Sequence, residues 1–261
     1  MKQLFLVLVN TLTLLGALYV NYFFASGAGG QESVGEISDK YKTLITPAGY
    51  AFSIWGLIYL MLVGYVGYQW VEYKRGWENG SLDNSGIWFA LSNIFNGIWI
   101  VVWTNEWIGL SVLVIFLLLF SLIQLVIRLR LEIWDAPKKI IFFVWWPICI
   151  YLGWIVLASV INFAVWINNS GILQNLLSPE IWAVIIIGVA VGVYLLLTFS
   201  RNMREASLVG AWGLSALAYR HWDSNNLLVI VALLGAAILV ISSGYHAYKN
   251  RKNAIDASTI N

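Results

Sequence analysis

Charge and cysteine are the scarce commodities of this 261-residue chain. Charged residues make up 11% of it, against about 25% in an ordinary soluble domain, too few to clothe the surface of a water-soluble fold of this size. A soluble globule is therefore excluded. The single cysteine, Cys149, leaves no partner for an internal disulfide, a CxxC redox pair or a cysteine zinc site. Only two histidines occur, His221 and His246, and they fall near opposite membrane faces, so they cannot share a metal or act as a base and its orienting partner. A net charge of +2 with dispersed basic residues offers no broad surface for nucleic acid.

Apolar residues are abundant instead, at 60% of the chain, and they recur in runs of about 20 residues, each enough to cross roughly 30 Å of hydrocarbon. Punctuation by charge, proline and glycine predicts helices near 4–24, 48–71, 87–105, 108–127, 141–167, 180–200, 205–219 and 227–247. The expected fold is an all-α, polytopic transmembrane helical bundle of about eight spans. The seventh run, SLVGAWGLSALAY, is short and rich in small residues, and reads either as a shielded span packed through Gly210 and Gly213 or as a re-entrant segment. Eight spans place twelve of the fifteen Lys and Arg on the amino-terminal side and only Lys40, Lys42 and Arg220 on the other. That asymmetry predicts cytoplasmic termini. Removing the seventh span would carry Lys249, Arg251 and Lys252 across and spoil it. The first run could also be read as a signal peptide, with Lys2 before it and Ala25, Ser26 and Gly27 after it. Its length and its Asn10 and Asn21 suit a bundle member better.

Polar atoms at depth in lipid are expensive and face a bundle interior or a cavity. In the third span Asn93, Asn96, Trp99, Trp103 and Trp107 share one face at about 100° per residue. In the fifth, Tyr151, Trp154, Ala158 and Asn162 form a narrow stripe, and in the second Phe52, Trp55 and Tyr59 follow at i, i+3 and i+7. Two readings stand side by side. The amides bond between helices while the tryptophans fill the core or sit in interfacial belts, as Trp70 and Trp222 do near span ends. Alternatively Trp99, Trp103 and Trp154 line a pocket of flat π faces and amide donors suited to a large, planar, amphipathic ligand.

Over roughly residues 41–168 the chain resembles the tryptophan-rich sensory proteins and translocator proteins (TspO/MBR). The segment YKTLITPAGYAFSIWGLIY carries Tyr41, Leu44, Pro47, Phe52, Trp55 and Tyr59 in a series similar to the family's second-helix pattern, though Ala48 replaces its second proline and the Lys-Pro pair is absent. SNIFNGIW aligns Asn96 and Trp99 with the family's Asn and Trp. PICIYLGWIVLASVINFAVWIN matches at Tyr151, Leu152, Trp154, Ala158 and Asn162, with Pro147 displaced from its usual neighbour. The resemblance implies a five-helix TspO-like bundle over residues 1–170, with residues 171–261 as additional carboxyl-terminal transmembrane helices in the same membrane domain. It implies a pocket for porphyrins, sterols and similar ligands beneath the loop after the first helix. The ligand-binding set is then Pro47, Phe52, Trp55, Tyr59, Asn96, Trp99, Trp103, Tyr151, Trp154, Ala158 and Asn162.

Catalytic acid–base chemistry is not expected, because every Asp and Glu falls in a loop or at a helix end. Light-dependent porphyrin breakdown, known among the relatives, would need no such groups. No cofactor is obligatory, and a porphyrin or haem-like tetrapyrrole enters as ligand. The expected partners are the lipid bilayer, a hydrophobic small molecule and, as in some family members, a second copy in a homodimer; the expected location is a bacterial plasma membrane. Loop one, with Glu32, Glu36, Asp39, Lys40 and Lys42, reads as a solvated lid without a site role. The competing function is an eight-helix transporter of a neutral amphipath, and a third is a purely structural membrane component.

Overall fold

The computed structural model describes residues 1–171 and 177–258, with side chains described through Lys249. Helix α1 (Lys2–Val20) runs on through a π-helical turn, Asn21–Ala25. A short helix α2 (Val34–Lys40) and a 3-10 turn (Gly49–Ser53) lead into α3 (Ile54–Arg75). Then follow α4 (Ser81–Ser85), α5 (Trp88–Thr104) and α6 (Ile108–Arg128). A single turn, α7 (Lys138–Ile140), passes through a second π turn, Ile141–Trp145, into α8 (Trp146–Ser170). Three long helices complete the chain: α9 (Pro179–Arg201), α10 (Arg204–His221) and α11 (Asn226–Ser258).

Local chemistry accounts for the ends of these elements. Ser178 accepts from the Ile181 amide ahead of Pro179, whose missing N–H costs nothing in the first turn. Gly76 and Gly171 end α3 and α8 in the left-handed conformation, and Asn202 does the same for α9. Helix α2 stands where the sequence reads as a loop. Its start is a capping box in which Ser33 Oγ accepts from the Glu36 amide and Glu36 accepts from the Ser33 amide, a signature legible in S-x-x-E.

Among the described residues, six helical segments are long and apolar enough to cross a membrane; α5, with 17 residues, is a shorter apolar helix. With α10, of 18 residues, they make an all-α, polytopic membrane bundle of eight long helices. The lipid-facing surface is apolar, with Leu60, Leu196 and Ile241 exposed, while Asn10, Gln69, Asn96 and Asn162 are buried. One apolar core runs from Leu14 in α1 to Leu239 in α11.

Helix α10 packs against α8, α9 and α11, and its small residues explain how. It is a full helix, not a re-entrant stub. A Cβ at Gly210 would stand 2.5 Å from the Tyr194 ring, and one at Gly213 would stand 2.0 Å from Leu157. On α8, a Cβ at Gly153 would meet the backbone of Ala206 at 2.8 Å. Close helix approach is how bundles gain van der Waals energy in lipid, where apolar burial supplies no drive. Gly153→Ala is expected to cost about 1–3 kcal/mol through overpacking against backbone. Gly188→Ala, where a Cβ meets nothing within 4 Å, leaves melting unchanged, and thermal unfolding in detergent compares the two.

Candidate ligand site

Three polar relays tie the first helices together and set where the aromatic side chains lie. Asn10 Nδ2 donates to Gln69 Oε1 at 3.0 Å, and Gln69 Nε2 to Ser85 Oγ at 3.3 Å. Asn21, in the π turn, donates to Asn96 Oδ1 at 2.8 Å, the same oxygen that accepts from the Tyr59 hydroxyl at 3.1 Å. Trp99 Nε1 donates to Asn162 Oδ1 at 3.0 Å, and Asn162 Nδ2 to Ser111 Oγ at 2.9 Å. Asn96 and Asn162 are thus both buried and engaged across helices.

The expected stripes from α3 and α8 interlock. Trp55 stacks on Tyr59 with centroids 5.3 Å apart, and meets Tyr151 and Trp154 edge to face at 5.9 and 6.3 Å. Phe52 meets Trp154 edge to face at 5.8 Å. Trp99 and Trp103 form a separate stacked pair at 5.8 Å on α5, and Trp103 Nε1 donates to the Val34 carbonyl of α2. Ala158 is half-buried on α8. Trp154 is 1% exposed, yet its indole nitrogen has no hydrogen-bond partner. Tyr151 approaches Asn96, and the Asn96 amide nitrogen is likewise unpartnered. A buried donor left unmade costs about 1–3 kcal/mol.

The cavities along α8 are lined by other residues than these rings. A small hollow is lined by Pro47, Leu157, Ile161 and Leu214, and shares Ile45, Val160 and Ile186 with a cavity of about 850 Å³ between the lid segment, α8 and α9. That cavity is within the range of about 300–1,000 Å³ usual for ligand sites. Its walls are mostly apolar, including Phe116, Phe163, Trp182 and Val189, with Lys42, Arg220 and His221 at one end. Among the predicted residues Pro47 is the one lining either space.

Helix α10, which sequence reasoning left without a role, holds the lid and the start of α3. The Ala48 amide donates to the Ala216 carbonyl at 3.1 Å, Trp212 Nε1 to the Ala51 carbonyl at 3.2 Å, and Arg220 Nη1 to the Pro47 carbonyl at 3.0 Å. Arg220 also pairs with Asp39 at 2.6 Å, and His221 Nε2 lies 2.9 Å from the Leu44 carbonyl. No spacing motif announces such contacts, because the partners stand more than 150 positions apart.

A family model described as TSPO-like protein matches residues 7–245. The chain belongs to the TSPO-like protein family. The match extends well past residues 41–168 and takes in α9, α10 and nearly all the apolar part of α11. The three last helices therefore lie within the TSPO-like pattern. No curated protein and no solved structure matches the chain. This is a TSPO-like integral membrane protein whose aromatic stripes from α3 and α8 meet in the core.

The lid is tied to the bundle by ionisable groups outside the spans. Lys40 and the Tyr41 hydroxyl both donate to Glu106. These bonds hold the Glu106 carboxyl below its ordinary value, and the Ser33 amide does the same for Glu36. Lowered carboxyls give stability that is full above the unfolded value of 4.5 and is lost as pH falls through the folded ones. Lys40 is raised by Glu106, so its share is lost only above its ordinary 10.5. Hydrogen exchange over residues 33–41, corrected for intrinsic rate, is expected to quicken below pH 4.5. Glu106→Gln should remove the part due to Lys40 and Tyr41.

Proposed function

We propose that this TSPO-like protein binds a planar hydrophobic ligand, a tetrapyrrole or a sterol-like molecule, at the α3–α8 aromatic cluster, and serves its sensing, trafficking or photodegradation. The observation that carries this reading is the buried Trp154 indole, in edge contact with Phe52 and Trp55 while its N–H lacks an acceptor. A flat ligand sliding between the rings exchanges ring–ring contacts for ring–ligand contacts of the same kind, and an oxygen on its rim satisfies the orphaned donor. Asn96 Nδ2 offers a second donor nearby. The lid helix, pinned by α10 and Glu106, would then cover the site; the excess of Lys and Arg on one side supports cytoplasmic termini, and the membrane of this reading is a bacterial plasma membrane.

A second reading, transport of a neutral amphipath, draws on the cavity of about 850 Å³ that α8 and α9 share. Turnover separates the two. A binder saturates at about one ligand per chain, whereas a transporter moves solute into liposomes repeatedly.

Protoporphyrin titrated into the purified protein is expected to quench tryptophan fluorescence to saturation. With 15 tryptophans in the chain, two can be replaced without losing the signal. Trp154→Phe removes a donor worth about 1 kcal/mol and should weaken binding about fivefold; the double substitution of Trp99 and Trp154 to Phe should weaken it further. Quenching that never saturates, or equal affinity in the double variant, refutes the site.

A further inference from the structure

At the other end of the bundle, away from the lid, three ligating side chains meet that the sequence keeps far apart. Glu132 comes from the turn after α6, Cys149 from the start of α8 and Glu205 from the first turn of α10. One ligand atom of each lies within 4.8 Å of the other two. Cys149 is fully buried and Glu132 is 7% exposed. Glu132 Oε1 and Glu205 Oε2 are both shut off from solvent without a hydrogen-bond partner. Neither carboxylate has an ion-pair partner among the described residues.

Two carboxylates and a thiol gathered within 4.8 Å are a poor arrangement for a core that only needs filling. Removing a carboxylate from water costs several kcal/mol unless a cation or donors compensate. Burial and the Glu205 charge push the Glu132 carboxyl up to about 8, with Arg204 opposing them. The backbone at Glu132 is also held in an uncommon shape. Its φ is +61°, in the left-handed region, at a cost of order 1 kcal/mol for a residue other than glycine. Asn202 Nδ2 secures it by donating to the Glu132 carbonyl at 2.7 Å.

We infer that Glu132, Cys149 and Glu205 form a binding site for a divalent transition-metal cation, zinc being the best match. One thiolate with two carboxylates is a mixed soft and hard donor set, which suits a borderline ion rather than magnesium or calcium. Bonds of about 2.0–2.3 Å in tetrahedral geometry separate ligand atoms by about 3.4–3.6 Å, so side-chain rotations of about 1 Å close the site around the ion. Three protein ligands leave a fourth position for water. Charge also balances. Two carboxylates and a thiolate carry three negative charges, met by a divalent ion and the nearby Arg204 guanidinium. Arg201 also faces the thiol, and its guanidinium donates to the Val126 carbonyl at 3.2 Å. Binding releases the thiol proton, and the Glu132 proton where it is held, so affinity falls as pH is lowered.

The test uses the full chain in nanodiscs, stripped with chelator and titrated with Co²⁺, then Zn²⁺. One Co²⁺ per chain is expected, with a near-ultraviolet sulfur-to-cobalt charge-transfer band that Zn²⁺ displaces. Cys149→Ser should abolish the band. Glu132→Gln and Glu205→Gln should each weaken Co²⁺ binding at least about tenfold, while Glu180→Gln, at the exposed start of α9, leaves it unchanged. Circular dichroism verifies that each variant is folded. If the serine variant fails to fold, Glu205→Gln, which keeps the thiol, decides. Absence of saturable binding, a band that survives Cys149→Ser, or wild-type affinity in the Glu205 variant overturns the assignment.

Discussion

Hydrocarbon offers a buried amide no partner, so every polar atom at depth must find one on another helix or bear the cost. That constraint organises this bundle more than apolar packing does, because lipid tails are as apolar as leucine. Asn21 and Tyr59 both reach Asn96, binding α1 and α3 to α5 at one oxygen. Asn162 receives from Trp99 and donates to Ser111, binding α8 to α5 and α6. With these contacts in place, the stripes of Trp55 and Trp154 are turned toward each other rather than toward lipid.

The same constraint marks what the bundle has left unmade. Most buried side chains in the relays use their capacity, whereas Trp154 Nε1, Asn96 Nδ2, Glu132 Oε1 and Glu205 Oε2 do not. The first two lie in the aromatic core and the last two at the opposite end from the lid. Other buried atoms, Asn10 Oδ1, Tyr65 Oη and Ser159 Oγ among them, are unpartnered as well, so what sets these two places apart is the company the orphaned atoms keep: stacked rings in one, a thiol and a second carboxylate in the other.

Much of the fold was legible in the sequence, since span length, charge asymmetry and small-residue patterns report directly on the bilayer. The runs near 87–105 and 108–127 became α5 and α6 almost residue for residue, and the choice of Gly210 and Gly213 as packing points of a shielded span agrees with their contacts. Stripe membership was legible too, because it follows from periodicity. Which stripes touch was not: α3 pairs its rings with α8, while Trp99 and Trp103 stack apart on α5. Such pairing depends on helix rotation, which a wheel does not specify. The lid helix was missed although Ser33 and Glu36 announce it, and the meeting of Glu132, Cys149 and Glu205 depends on tertiary contacts no local pattern encodes. Counting cysteines excluded a cysteine zinc site and had nothing to say about a thiol flanked by carboxylates.

Helix α10 is absent from the six segments apolar enough to cross a membrane alone, and its buried face of alanine, serine and glycine is cut to fit α8, α9 and α11. During biogenesis such a segment has little reason to leave the translocation channel for lipid unaided. Its integration is helped by the more apolar α11, against which it packs as a hairpin. The insertion of α11 thereby bears on when residues 47–51 acquire their tether to α10.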